Sequence, residues 1–415
     1  MFYKILFSDH EDPVKRFSLY ICRKRRSMEL MEVVNQDLAR KFLEVNVRIN
    51  GHDPNYIRPL DKDINMVFDP KKNKALRHGQ IARWVLKDKD GALTGRIAAF
   101  TNKKYKNKGD DIAVGGIGFF DCINDQGAAE LLFDVAKQWL IQKGMQAMDG
   151  PINCGERDRW WGLLVEGFSP PSYCTSYNQP YYQELFEHYG FKAFFDQYCF
   201  SMKVKDRLPQ KFYERHDKLS KNANLSARHV RKNQLEKFAA DFTTVYNKAW
   251  AGHGGMKELN REIVMKMFNQ MKPIMDEKII WFAYDKEEPV AMWVNLPDLN
   301  QWFKHLHGQF SWLAKIKFLW IKATIPCTRF SGLAFGIIPE WQGTGIDAFM
   351  IMEGAKIIQP PQLYEDYEMQ WIGDFNPKMI NIAESLGTYR SRRLITYRYL
   401  FDRTKTFHRH PLINF

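Results

Sequence analysis

A chain of 415 residues is longer than one hydrophobic core usually organises, so two domains of about 200 residues each are expected. Hydrophobic residues at 45% and aromatics at 14%, without a Pro-, Ser- or Gln-rich tract, exclude a largely disordered chain. Lys and Arg number 61 against 48 Asp and Glu, and this net +13 points to nucleic acid, a phosphate-bearing ligand or acidic lipid headgroups, or to no more than a solvated basic face.

The six cysteines, Cys22, Cys122, Cys154, Cys174, Cys199 and Cys327, lack both the spacing of a zinc site and the density of a disulfide scaffold. A reducing compartment and no metal are expected. No apolar run reaches the roughly 18 residues of a membrane span, and Asp9, Glu11 and Asp12 follow the short apolar start too closely for a signal peptide. A cytoplasmic protein is therefore expected.

Residues 1–27 are basic and poorly patterned, with Arg23, Lys24, Arg25 and Arg26 together, and read as an extension or a misplaced start. A helical pattern begins near Met28 and opens a first domain over 28–205. Within it, Ala82 to Leu86, Thr94 to Phe100 and Gly115 to Cys122 are predicted strands, with a turn at Asp90 and Gly91. A helix from Gln126 to Gly144 follows, burying Ala129, Leu132, Phe133, Ala136, Trp139 and Leu140. The stretch from Arg207 to Lys278 has a mostly helical pattern and reads as a bridge, with a Gly-rich turn after His253.

The second domain, 206–415 with the bridge included, repeats the plan. Ile279 to Tyr284, Pro289 to Leu296 and Arg329 to Ile338 are predicted strands, a helix runs from Gly345 to Gln359, and Glu368 to Ile372 is a further strand. Two copies of strand, hairpin, strand and helix suggest a tandem duplication. Within the second copy, Trp302 to Ile321 mixes aromatics with Lys304, His305, Lys315, Lys317 and the adjoining Lys322, which suits a membrane interface or the lip of a lipid groove, and equally a buried helix. Arg390, Arg392, Arg393, Arg398, Arg403, Lys405 and Arg409 crowd the C-terminus.

The string from Gly336 to Asp347 joins a strand to a helix, where glycines turn backbone amides toward one point and so suit a phosphate. It resembles the pyrophosphate-binding motif of the GNAT superfamily, with Gln342 and Gly345 matching and Asp347 departing from the final small residue. Asn376 and Gly387 resemble the opening and close of that superfamily's last helix, although the tyrosine seven residues after the Asn is Ala383 here. In the first half, Asn178, Tyr181, Tyr182, Leu185, Gly190 and Phe191 resemble the same ending, while the region from Asn124 to Ala129 offers only Gly127 for a phosphate.

A narrower resemblance, to the double-GNAT family that includes bacterial ceramide synthases, rests on several strings. They are His52-Asp53-Pro54, Arg58-Pro59-Leu60, Gly95-Arg96-Ile97-Ala98-Ala99, Gly118-Phe119-Phe120, Gly150-Pro151-Ile152-Asn153, Gly162 to Phe168 and Gly345-Ile346-Asp347. The resemblance implies an α/β fold of two GNAT-like domains in tandem, each a mixed sheet flanked by helices, with the first degenerate for CoA. It implies acyl-CoA as co-substrate held by Gly336, Ile337, Ile338, Gln342, Gly343, Thr344, Gly345 and Ile346. It also points to Glu368 as base and Asn376 as a second catalytic residue, with a strand-end carboxylate paired to an Arg as the other reading of Glu368.

The expected activity is transfer of an acyl group from acyl-CoA to an amine, with a long-chain sphingoid-type amine as the finer expectation. Alternatives are a tRNA-dependent aminoacyl transferase, with the basic C-terminus on RNA, and a non-catalytic acyl-CoA-binding module. Peripheral contact with an anionic inner membrane surface belongs to the lipid reading, and nucleic acid is not expected as a partner. Asp347 either flanks the helix or contacts the amine. His305, His307 and the run Glu156-Arg157-Asp158-Arg159-Trp160-Trp161 are weaker candidates for the site.

Overall fold

The computed structural model describes residues 28–250 and 258–413, so the Arg23 to Arg26 cluster, Cys22 and the His253 turn lie outside the described residues. The chain forms two compact units: 28–164 with 176–194 and 395–411, and 165–175 with 195–394 and 412–413.

In the first unit, β1 (Met28–Glu32) precedes α1 (Gln36–Asn50) and α2 (Asp61–Phe68). Strands β2 (Gly79–Asp88), β3 (Leu93–Asn102) and β4 (Val114–Cys122) follow, then α3 (Gln126–Gln142), β5 (Ala147–Gly150), β6 (Leu163–Glu166) and α4 (Tyr182–Tyr189). Met28 was expected to open a helix; it opens β1, which pairs with β2 from Met28↔Asp88 to Glu32↔Trp84. A sheet edge supplies these residues with hydrogen-bond partners, and the helix waits until the Asn35 side chain accepts the amide of Leu38 at 2.9 Å. Helix α3 buries Ala129, Leu132, Phe133, Ala136 and Leu140 completely.

The second unit takes most of β7 (Lys192–Lys203), then α5 (Gln210–Leu219), β8 (Leu225–His229), α6 (Leu235–Trp250) and α7 (Arg261–Met271). Next come β9 (Ile280–Asp285), β10 (Glu288–Pro297), α8 (Asn300–Phe303), α9 (Trp312–Thr324) and β11 (Arg329–Ile337). Helix α10 (Ile346–Ile358), β12 (Asp366–Gly373), α11 (Pro377–Ser385) and β13 (Tyr389–Leu400) complete the chain. The stretch 207–278 is not purely a helical bridge: β8 pairs with β9 as the edge of this unit's sheet. Five residues are too few for periodicity to reveal, so β9 rather than β8's own sequence selects that conformation.

Each unit has the same strand grammar. The first runs β1-β2-β3-β4-β5-β13, antiparallel except for the parallel pair β4 and β5. The second runs β8-β9-β10-β11-β12-β7, antiparallel except for the parallel pair β11 and β12. The last strand of each list comes from the other half of the sequence, so contacts divide the chain differently from consecutive blocks 28–205 and 206–415. An exposed edge accepts any strand of matching register, and sequence distance does not enter that selection.

Candidate functional site

The site builds up from the seam between β11 and β12. These strands pair only from Arg329↔Asp366 to Gly332↔Met369, and beyond that point they have no paired residues. A bulge in β12 between Met369 and Ile372 bends it where the pairing ends. The amide of Ile338 donates to the carbonyl of Val290 on β10 at 3.0 Å. Because successive amides of a strand point to opposite edges, Gly336 also faces β10, and the N–H and C=O of Ile337 face the open side. In agreement, Gln342 Nε2 donates to the Ile337 carbonyl at 3.3 Å.

After β11 the chain makes one short 3₁₀ turn, Pro339–Trp341, and then the glycine turn. Gly343 and Gly345 have φ of 77° and 94°, a region that side chains with a Cβ rarely adopt. At Gly345 a Cβ would also meet the aliphatic part of Arg215 at 3.3 Å. Thr344 Oγ1 donates back to the Trp341 carbonyl at 2.7 Å, which fixes the turn. Gly345 is the N-cap of α10, and no side chain caps that helix. The amides of residues 346–348 therefore have no preceding turn to accept them and carry the positive end of the helix dipole. Ile346 is fully buried and anchors the turn, Asp347 is half-buried in the first helical turn, and Lys378 donates to Gln342 Oε1 at 3.3 Å.

Where the seam opens, a cavity of about 420 Å³ lies between the strands and helices α6, α10 and α11. Its walls are almost wholly apolar, among them Trp250, Phe330, Ile351, Met369, Ile382 and Ala383.

Glu368 sits one residue away from the cavity lining, and its oxygens are occupied. It is 4% exposed, accepts Arg392 Nε at 2.7 Å and Ser172 Oγ at 2.9 Å, and lies 3.4 Å from Arg329 Nη1. Burial works against its ionisation, but Arg392 and Arg329 together outweigh burial and hold its carboxyl below the ordinary range. Arg392 in turn donates to the carbonyls of Gly167, Ser169 and Pro170, so Glu368 organises the 165–175 segment. The pairing with Arg392 and Arg329 is what the reading of Glu368 as an Arg-paired strand carboxylate expects, while a role as base rests on the resemblance alone. Asn376 is likewise committed: its side chain caps α11 by accepting the amide of Met379 at 3.2 Å.

The C-terminal arginines are also largely neutralised. Besides Arg392, Arg398 pairs with Asp149 at 2.6 Å and Asp110 at 2.7 Å, Arg393 with Asp196 and Glu166 at 2.8 Å, and Arg390 with Glu384 at 2.8 Å. This is cement for β13, and it withdraws those cations from any polyanion. His305 and His307 lie in and just after a 3₁₀ turn, and Glu156 pairs with Arg159 at 3.4 Å; none of them lines the cavity. Among the described residues no group of three or more His, Cys, Asp or Glu could hold a metal ion, and no helix is long and apolar enough to cross a membrane.

Among solved structures, a tandem GNAT protein from the clavulanic acid biosynthesis pathway matches with a TM-score of 0.50 at 10% identity, over 90% of this chain and 98% of that one. The chain has the tandem GNAT fold. It is also 24% identical over 361 residues to "Bacterial ceramide synthase" of Caulobacter vibrioides, covering 85% of this chain and 93% of that protein. Protein YghO of Escherichia coli is 24% identical over 371 residues, covering 88% and 93%. No family model matches the chain.

Sequence reasoning passed over Tyr367, a polar group at this seam. Tyr367 of β12 lies where the strands part: a Cβ at Gly332 would stand 2.4 Å from its phenol oxygen. The phenol accepts Trp293 Nε1–H at 3.2 Å, and its own proton has no acceptor among the described residues. Burial pushes its pKa up to about 12, so it stays a neutral donor at pH 7. The signal available in the sequence was weak: a tyrosine immediately before an expected strand, with the partner glycine 35 positions earlier. Ala383, where the superfamily resemblance led one to look for a tyrosine, packs instead with Phe200 and Ile380.

Proposed function

We propose that this tandem GNAT chain is an N-acyltransferase that takes its acyl group from acyl-CoA and delivers it to an amine carried by a long-chain, sphingoid-type lipid. The observation that carries this reading is the opened seam: Gly332 to Phe335 of β11 and Met369 to Ile372 of β12 line an apolar cavity, and β11 runs on into a glycine turn at a helix N-terminus. Similarity to a protein named bacterial ceramide synthase supports the lipid acceptor.

In this reading the amides of Gly343, Thr344, Gly345 and Ile346, with Gln342, hold the diphosphate of CoA. The Ile337 amide, flanked by Gly336 and Ile338, polarises the thioester carbonyl. The cavity, within the roughly 300–1,000 Å³ usual for ligand pockets, takes the acyl chain. The amine nitrogen bonds to the carbonyl carbon as the carbon–sulfur bond breaks. Tyr367 then donates a hydrogen bond to the departing sulfur; with its pKa at about 12 the phenol keeps its own proton, and the proton lost by the acylated nitrogen passes through water to the thiolate, leaving amide and free CoA thiol. The protein works in the cytoplasm, against the anionic inner surface of the membrane.

The test follows free thiol release by purified protein given long-chain acyl-CoA and a panel of amines. Turnover with sphinganine and none with short amines is expected. Release only with tRNA-linked amino acids would replace this reading with the aminoacyl-transfer one, and no release with any acceptor would leave a binding module.

A further inference from the structure

Helix α9 divides the aromatic and basic segment into two opposite faces. Ala314, Phe318 and Ile321 are buried, with Phe318 against Trp302 and Phe303. Trp312, Leu313, Ile316, Leu319 and Trp320 are 57 to 69% exposed. At about 100° per residue, those five side chains fall within an arc of roughly 120° centred opposite the buried stripe. The helix is thus apolar on both sides, and only one side is covered by its own unit.

The borders between the two faces carry cations. Lys315 and Lys322 lie on one border and Lys317 on the other. Lys317 Nζ donates to the His305 carbonyl at 2.7 Å and Lys322 Nζ to the Pro273 carbonyl, so both ammonium groups are held at the flanks and away from the outer face. The helix contains no Asp or Glu. Upstream in sequence lie Lys304, His305 and His307, and Lys232 and Asp276 act on Lys322 from neighbouring elements; burial followed by Lys304, Lys317 and His307 keeps the His305 imidazole below its ordinary range. An apolar ridge with tryptophans, no carboxylate and the exposed Lys315 on one border matches a bilayer interface, where rings sit among headgroups and an ammonium group reaches anionic phosphates. A second copy of the face is a poor occupant, since pairing would bring lysines together without a carboxylate on either helix.

We infer that α9 is a membrane-docking helix, which lies in the plane of an anionic bilayer with Trp312, Ile316, Leu319 and Trp320 inserted below the headgroups. Its purpose rests on the lipid-amine reading, whereas its geometry stands independently of it. Docking brings the protein to where an acceptor with a long alkyl chain resides.

Full-length protein and the I316E/L319E double variant are floated with vesicles of phosphatidylglycerol and phosphatidylethanolamine, and with phosphatidylcholine alone, at low and high salt. Wild-type protein is expected to float with the anionic vesicles and less so in high salt, and the variant's vesicle-bound fraction to fall about tenfold. Thiol release on detergent-dispersed acceptor is expected to be equal in the two proteins, which shows that the variant is folded. The inference is overturned when wild-type protein fails to float, when the variant floats equally well, or when sedimentation shows the variant as a smaller oligomer, which makes the face a self-contact. Flotation without turnover on any amine upholds the docking helix and removes the proposed function; turnover without flotation does the reverse.

Discussion

The two parallel seams, β4 with β5 and β11 with β12, start from the same strand grammar and end differently. Along β4 the backbone stays closed: after Gly116↔Asp149 the amide of Ile152 still donates to Ile117 at 2.7 Å. A Cβ at Gly118 would lie 2.0 Å from the Ile152 carbonyl, so glycine here permits closure. The helix that follows, α3, is capped by Asp125, whose carboxylate accepts the Ala128 amide at 2.6 Å. A carboxylate thereby occupies the place a phosphate would take. Along β11 the strands part, the following helix has a bare glycine cap, and the gap leads into a cavity. The two seams thus differ in whether the backbone stays closed and in what caps the next helix, and a few residues decide both.

The largest break in this comparison is expected at the turn. Gly345→Val imposes a Cβ on a φ of 94° and pushes at Arg215, so kcat/KM for acyl-CoA should fall by about 100-fold in the thiol-release assay, the scale for losing oriented backbone donors. Retained activity would remove the turn from the site.

Glu368→Gln tests whether the buried ion pair is structural. Loss of the carboxylate leaves Arg392, 2% exposed, without its counter-charge, which costs about 3 kcal/mol and lowers Tm by roughly 10 °C. The folded pKa is depressed, so its contribution is complete above the ordinary carboxylate range and is lost as pH falls through the folded value. The Tm difference between wild type and variant should therefore shrink below about pH 4. A base would behave otherwise: turnover would drop by about 100-fold at unchanged Tm.

Tyr367→Phe sharpens the view of the open seam. Turnover, kcat, should fall by about tenfold with KM unchanged, as expected for a donor engaged only as the sulfur departs. Stability should fall by about 1 kcal/mol, because Trp293 Nε1 loses its acceptor. The smallest effect is expected at the closed seam, where Asp125→Ala removes a helix cap worth about 1 kcal/mol and leaves KM for acyl-CoA unchanged. Tighter acyl-CoA binding by that variant would show that the first unit is blocked only by its cap.

Much of this was legible in the residues. The core face of α3, the β9–β10 hairpin and the positive-φ demand at Gly343 and Gly345 are local consequences of spacing, propensity and glycine's lack of a Cβ. The helix cap at Asn376 was visible as a position, but its side chain's commitment to Met379 was not. Strands β1 and β8 were invisible for a common reason: their conformation is imposed by neighbours, Asp88 to Trp84 in one case and Asp285 to Trp281 in the other.

By itself the sequence determined the mixed α/β character, the repeated plan and the glycine turn, because each rests on chemistry within a few residues. Only the tertiary structure decided that β7 and β13 complete sheets begun in the other half of the chain, and that one seam opens while its counterpart closes. It also decided that Glu368 and four C-terminal arginines are held in ion pairs. Those outcomes depend on hydrogen-bond edges and charges up to hundreds of residues apart, for which no local pattern carries a record.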